Sequence, residues 1–149
     1  MKKLIFIHIA IPLTLGGLIY ISFRSQSLRM FNWFKWSHID FFTSSIRNFV
    51  YPLKNDIPSW FYFSLPDALW VYSFASAFLI LWKDQFEKGI YWLLIPLISG
   101  SIIEFAQGLK IVPGTFDLLD LIFTTLSLCL SLIIINYKFN QNDKQKLSH

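Results

Sequence analysis

At 149 residues, with 54% hydrophobic and 19% aromatic side chains against 15% charged, the chain departs from soluble domains, in which about a quarter of residues are charged. This balance fits one membrane domain and leaves no room for a separate soluble catalytic domain or a nucleotide-binding fold. One cysteine and six glycines, without a G-x-G-x-x-G or G-x-x-x-x-G-K pattern, exclude disulfide frameworks, thiolate zinc sites and phosphate loops, and the net charge of +4 comes from lysines and arginines that flank apolar runs as headgroup anchors, not from a nucleic-acid footprint.

The first apolar run, residues 4–23, follows Lys2 and Lys3 and is long enough at 1.5 Å per residue to cross a hydrocarbon core of about 30 Å. It ends in Ile21-Ser22-Phe23-Arg24 without a small-x-small cleavage site, so an uncleaved helix is expected. Residues 24–63 are too charged to cross and too aromatic for an idle loop. On a helical wheel, Leu28, Phe31, Phe34, Phe41, Phe42, Ile46 and Phe49 gather on one side of residues 28–51, opposite Arg29, Asn32, Asp40, Thr43 and Arg47. This pattern predicts an in-plane amphipathic helix with Trp33, Trp36 and Tyr51 at headgroup depth; a helix packed across the mouth of the bundle would carry the same stripe.

Further runs at 65–82, 90–107 and 118–137 approach spanning length. Lys83 to Lys88 separates the second from the third, Val112-Pro113-Gly114 turns the chain before the fourth, and 138–149 form a polar tail. Lipid forbids unpaired backbone, so the fold class is all-α: a polytopic membrane protein of four transmembrane helices plus the interfacial helix between the first and second. Lysines and arginines divide seven to six between the two faces, and the basic pair at the start and the basic tail place both termini in the cytoplasm.

In such an up-and-down chain the start of the second span, the end of the third and the start of the fourth reach the same membrane face. This brings together Asp67, Glu104, Gln107, Asp117 and Asp120, which include four of the nine acidic residues. Glu104 and Gln107 are three apart on one helix, and Asp117 and Asp120 share the same spacing on the next. Glu104 lies within an apolar run, where a carboxylate facing lipid costs at least ~2.5 kcal/mol, so it is expected to face the bundle interior. Converging carboxylates in such a mouth can share a proton, bind a cation or act in acid–base chemistry. Structural roles compete with these. Ser64-Leu65-Pro66-Asp67 reads as a capping box, and Asp117 with Asp120 as the favoured acidic start of a helix. Capping does not account for Glu104, near the carboxyl end of its helix. His8, one turn inside the first span, reads as an interhelical hydrogen bonder, and Cys129 as a small buried apolar residue. No two histidines have metal-ligand spacing, and no metal or cofactor is expected.

Glu104-Phe105-Ala106-Gln107, followed by Pro113-Gly114-Thr115-Phe116-Asp117-Leu118-Leu119-Asp120, resembles the signature of the VanZ-like membrane proteins, in which an E-x-x-Q closes one helix and a D-x-x-D opens the next. Leu65-Pro66-Asp67 is similar to that family's aspartate-bearing helix start. The resemblance covers residues 60–137. Lys110 stands where the family usually has an arginine in the turn, Thr124 where it has an asparagine, Ser127 where it has a glycine and Val71 where it has a histidine. The resemblance implies a bacterial inner-membrane protein of the cell envelope, with an outward-facing acidic cluster that binds or acts on an envelope lipid, a cell-wall precursor or a cation. Whether it is an enzyme is left open by these residues. The alternative is a non-catalytic structural subunit docked on other membrane-protein subunits. Lipid and such subunits are the expected partners, with Phe31, Trp33, Phe34, Trp36, Phe42 and Phe49 at the membrane interface, and no nucleic acid.

Overall fold

The computed structural model describes residues 2–26, 29–112 and 116–147, without the side chains of 29, 84, 86–90 and 140–147. The described residues form helices and their connections, with no strand among them. Helix α1 runs over Lys2–Phe23 and contains a π-helical turn at Phe6–Ala10. Two short helices follow, α2 at Arg29–Trp36 and α3 at Asp40–Val50, then a 3-10 turn at Tyr51–Asn55. The long helices α4 at Ser59–Leu81, α5 at Phe86–Gly108 and α6 at Leu118–Leu147 complete the chain. Among the described residues three helical stretches, Lys2–Phe23, Ser59–Leu81 and Leu118–Phe139, are long and apolar enough to cross a membrane.

Several boundaries differ from the sequence reading, each for a local reason. The single helix expected over 28–51 is broken at Ser37-His38-Ile39. His38 adopts a left-handed backbone, φ 56°, while its N–H donates to Lys35 O and that of Ile39 to Phe34 O, at 3.2 and 2.9 Å. That pair of bonds is a Schellman stop, which closes one helix and re-aims the next. Lys110, φ 59°, does the same at the end of α5, where its N–H donates to Gln107 O and that of Ile111 to Ala106 O. α4 begins at Ser59 instead of 65, because the extended Pro58 is its N-cap. Ser64 and Asp67 therefore lie within the helix and form no capping box. Pro66 sits in the helix interior, where its missing N–H leaves the Tyr62 carbonyl without its usual partner. At the far end α6 continues beyond 137 to Leu147.

α4 is the central helix, packing most extensively on α6, then on α1, and less on α5. Gly16 of α1 allows the closest approach: a Cβ built there would stand 2.7 Å from Trp70 Nε1 and 3.0 Å from Pro66 O. Trp70 Nε1 donates in turn to Leu13 O at 3.3 Å. Small-residue contacts of this kind hold helices together where lipid removes the hydrophobic drive between them. Ala75, Leu79 and Ile80 of α4, Leu93 of α5, and Leu128 and Ile135 of α6 make the packed core. All of them lie in the half of the bundle away from the turn joining α5 to α6, and the other half holds a cavity.

The two sides of the wheel are only partly kept apart in the short helices. Thr43, placed on the polar face, is buried, and Arg47 from that face reaches inward, its Nη1 donating to Ile21 O and Arg24 O at 2.8 and 2.7 Å. Phe31 is buried beneath the Arg47 guanidinium, whereas Phe42, Phe49, Trp33 and Trp36 are exposed and Phe34 is half-buried. The predicted apolar stripe is thus split. The reason is that Arg47 satisfies the free carbonyls at the end of α1, a demand that outranks burial of phenylalanine. Cys129, read as buried, is exposed, on a different side of α6 from the buried Leu128 and Ser131.

Candidate functional site

The cavity has a volume of about 640 Å³ and is walled by one face each of α4, α5 and α6 together with Arg24. All five polar residues predicted to converge line it. Asp67 comes from α4, Glu104 and Gln107 from α5, and Asp117 and Asp120 from the start of α6. On α5 the lining descends through Gly100 to Pro96, eleven residues below Gln107 or about 16 Å along the helix axis. Val71 of α4 and Leu121 of α6 supply the apolar walls. The charged side chains thus lie towards the mouth, and Val71, Pro96, Gly100 and Thr124 line the deeper part. At Gly100 an added Cβ would meet nothing within 4 Å, so the cavity is open beside that residue.

Glu104, 9% exposed, faces the interior as its position in an apolar run requires, and its Oε2 accepts the Asp117 backbone N–H at 2.9 Å. This bond ties the end of α5 to the start of α6 across the turn. Asp117 Oδ1 accepts from Leu119 N–H at 2.9 Å, the geometry of an N-cap, which confirms the capping reading for that residue. Asp120 lies in the first turn of α6, and its Oδ1 is buried without a hydrogen-bond partner among the described residues. Thr124, one turn on, donates to Asp120 O at 2.6 Å and lines the cavity.

Arg24 is the site residue that sequence reasoning missed. Its Nη2 stands 3.8 Å from Asp67 Oδ2, and its guanidinium lies between the rings of Tyr20 and Phe63, about 5 Å from each centroid. Its Nε is buried without a hydrogen-bond partner among the described residues. The alternation that gathers the acids also delivers the end of α1 to the same face, so the signal was present. Arg24 passed for a headgroup anchor because it follows an apolar run. Ser59 was missed for a simpler reason, since α4 was expected to begin six residues later.

The lining carries one guanidinium against four carboxylates. Two of those acids are engaged by backbone N–H groups, and Asp67 faces Arg24. Among the described residues no three His, Cys, Asp or Glu side chains stand close enough together to hold a metal ion. The carboxylates are spread over a wall and do not converge on a point. Such an arrangement suits an extended ligand with several hydrogen-bonding groups.

His8 lies at the opposite end of the bundle. Its Nδ1 is 2.7 Å from Tyr72 Oη, so it joins α1 to α4 as read from the sequence. No family model matches the chain, no curated protein matches its sequence, and no solved structure matches its fold.

Proposed function

We propose that this chain is a VanZ-like protein of the bacterial inner membrane, with both termini in the cytoplasm and its charged mouth open to the periplasm, and that its cavity binds the polar head of an envelope lipid. The observation that carries this reading is the gradient within one cavity, from Arg24 and the acids at the mouth to Pro96 and Val71 at the floor. A lipid has the same two-part character, and a bare cation or a soluble metabolite has no use for the apolar depth. The spread of the acids over the wall favours a headgroup for the same reason.

In this reading α5 is the fourth span. It equals α4 in length at 23 residues and turns Ile95, Ile98, Ile102 and Phe105 outward, as a lipid-facing side would. Helices α2 and α3 lie in the interface, with Trp33, Trp36, Phe42 and Phe49 towards lipid and Arg47 towards the protein. The E-x-x-Q and D-x-x-D pairs are then the two sides of the cavity mouth. Arg24 supplies a guanidinium to that mouth from α1, while Lys110 stands outside the lining.

The test replaces Glu104 with Gln and, separately, Asp117 and Asp120 with Asn, and compares membrane abundance with lipid retained on purification. Normal abundance with lost lipid supports a binding site. Normal abundance with unchanged lipid in both variants refutes it.

A further inference from the structure

The mouth of the cavity has two unmet hydrogen-bonding needs of opposite sense. Glu104 Oε2 and Asp117 Oδ1 are taken up by backbone N–H groups at 2.9 Å each, and Asp67 Oδ2 faces Arg24. Of the buried side-chain polar atoms of the lining, Arg24 Nε, a cationic donor, and Asp120 Oδ1, an anionic acceptor, have no hydrogen bond among the described residues. Buried polar atoms are nearly always paired, and an orphan at a cavity wall marks where a partner belongs. A complementary ligand brings an anionic acceptor to the first and a cationic donor to the second. Both residues line the same cavity.

Resting on the lipid-binding reading above, we propose that the cavity selects a zwitterionic diacyl lipid whose head carries a phosphate beside a primary amine, with the phosphate at Arg24, the ammonium at Asp120 and the acyl chains along Val71, Pro96 and Gly100. The guanidinium donates N–H groups to phosphate oxygens in a charge-assisted bond. The ammonium donates N–H to a carboxylate, which a trimethylammonium cannot do, and a glycerol head brings hydroxyls without the balancing charge. Selection therefore falls on the amine.

The experiment purifies the full chain from micelles holding equal amounts of dioleoyl phosphatidylethanolamine, phosphatidylcholine and phosphatidylglycerol, and reads retained lipid by native mass spectrometry. The amine lipid is expected to be retained about tenfold over the other two, the factor that one lost charge-assisted bond of ~1.4 kcal/mol produces. Asp120→Asn should abolish the preference for amine over choline, and Arg24→Gln should lower retention of all three. Gly100→Trp, which fills open space, should displace every lipid while the thermal transition persists. Retention of amine and choline lipids alike, with both lost in Gly100→Trp, overturns the amine assignment and leaves the lipid cavity standing. Lipid unaffected by Gly100→Trp in folded protein overturns the lipid reading itself. Displacement by soluble glycerophosphoethanolamine at the lipid's own concentration overturns the role of the acyl chains.

Discussion

Replacement of Gly16 by alanine is expected to be among the most disruptive single-methyl changes in the molecule, and the same change at neighbouring Gly17 harmless. A methyl at Gly16 would stand 2.7 and 2.9 Å from Trp70 Nε1 and Cδ1 and 3.0 Å from Pro66 O, where unstrained carbon contacts lie near 3.5–4.0 Å. Pro66 O belongs to the helix backbone, so the strain falls on Trp70 or on the separation of α1 from α4. Overpacking of this kind costs about 1–3 kcal/mol, and rotation of Trp70 also breaks its bond to Leu13 O, worth about 0.5–1.5 kcal/mol. Together these come to roughly 2–4 kcal/mol, or about 5–15 °C in Tm for a chain of this size. A methyl at Gly17 meets nothing within 4 Å, so its Tm should stay within about 2 °C of the parent. Thermal unfolding of the purified variants in one detergent, followed by tryptophan fluorescence, measures both. Equal transitions for Gly16→Ala and Gly17→Ala would refute the close approach of α1 and α4.

Glu104→Ala should lose about 1.5–3 kcal/mol by stranding the Asp117 N–H, while Glu104→Gln, which keeps an oxygen acceptor, should lose about half as much; denaturation midpoints of the two decide. Lys110→Gly should raise stability by about 0.5–1 kcal/mol, because glycine takes the left-handed φ without a Cβ penalty, and a lowered Tm would count against the helix stop drawn at that residue. Arg47→Met keeps the packing over Phe31 but leaves Ile21 O and Arg24 O without their donor, so faster proteolysis between α1 and α2 is expected, with unchanged cleavage sinking the assignment.

Much of the site was legible because it depends on topology alone. Alternating helices place their ends on two faces, and Asp67, Glu104, Gln107, Asp117 and Asp120 fell together without any knowledge of packing. Glu104 was readable from energetics, since an acid in an apolar run must turn inward. The mistaken details are local. Ser64-Leu65-Pro66-Asp67 matches a capping box, yet Pro58 had already started the helix, and one spacing rule cannot tell a first turn from a third. The wheel over 28–51 placed Phe42 and Phe49 on one side and Thr43 and Arg47 on the other, as the structure does, but periodicity carries no sign of the helix stop at His38 or of the carbonyls that draw Arg47 towards α1. Cys129 was misread because leucines adjacent in sequence do not share its side of the helix.

The π-helical turn at Phe6–Ala10 holds one residue more than an α-helical turn would, and each residue advances the side chains by about 100° around the axis. Everything downstream in α1 is dialled by that increment. Gly16 meets Trp70 and Arg24 swings over Asp67 in the phase so set, although both lie well along the helix from where the offset arises. Ser73 Oγ, donating to Ile9 O at 2.9 Å, latches the offset in place from α4. The half of α1 that never meets the cavity thereby fixes the compass bearing of the guanidinium at the end that does.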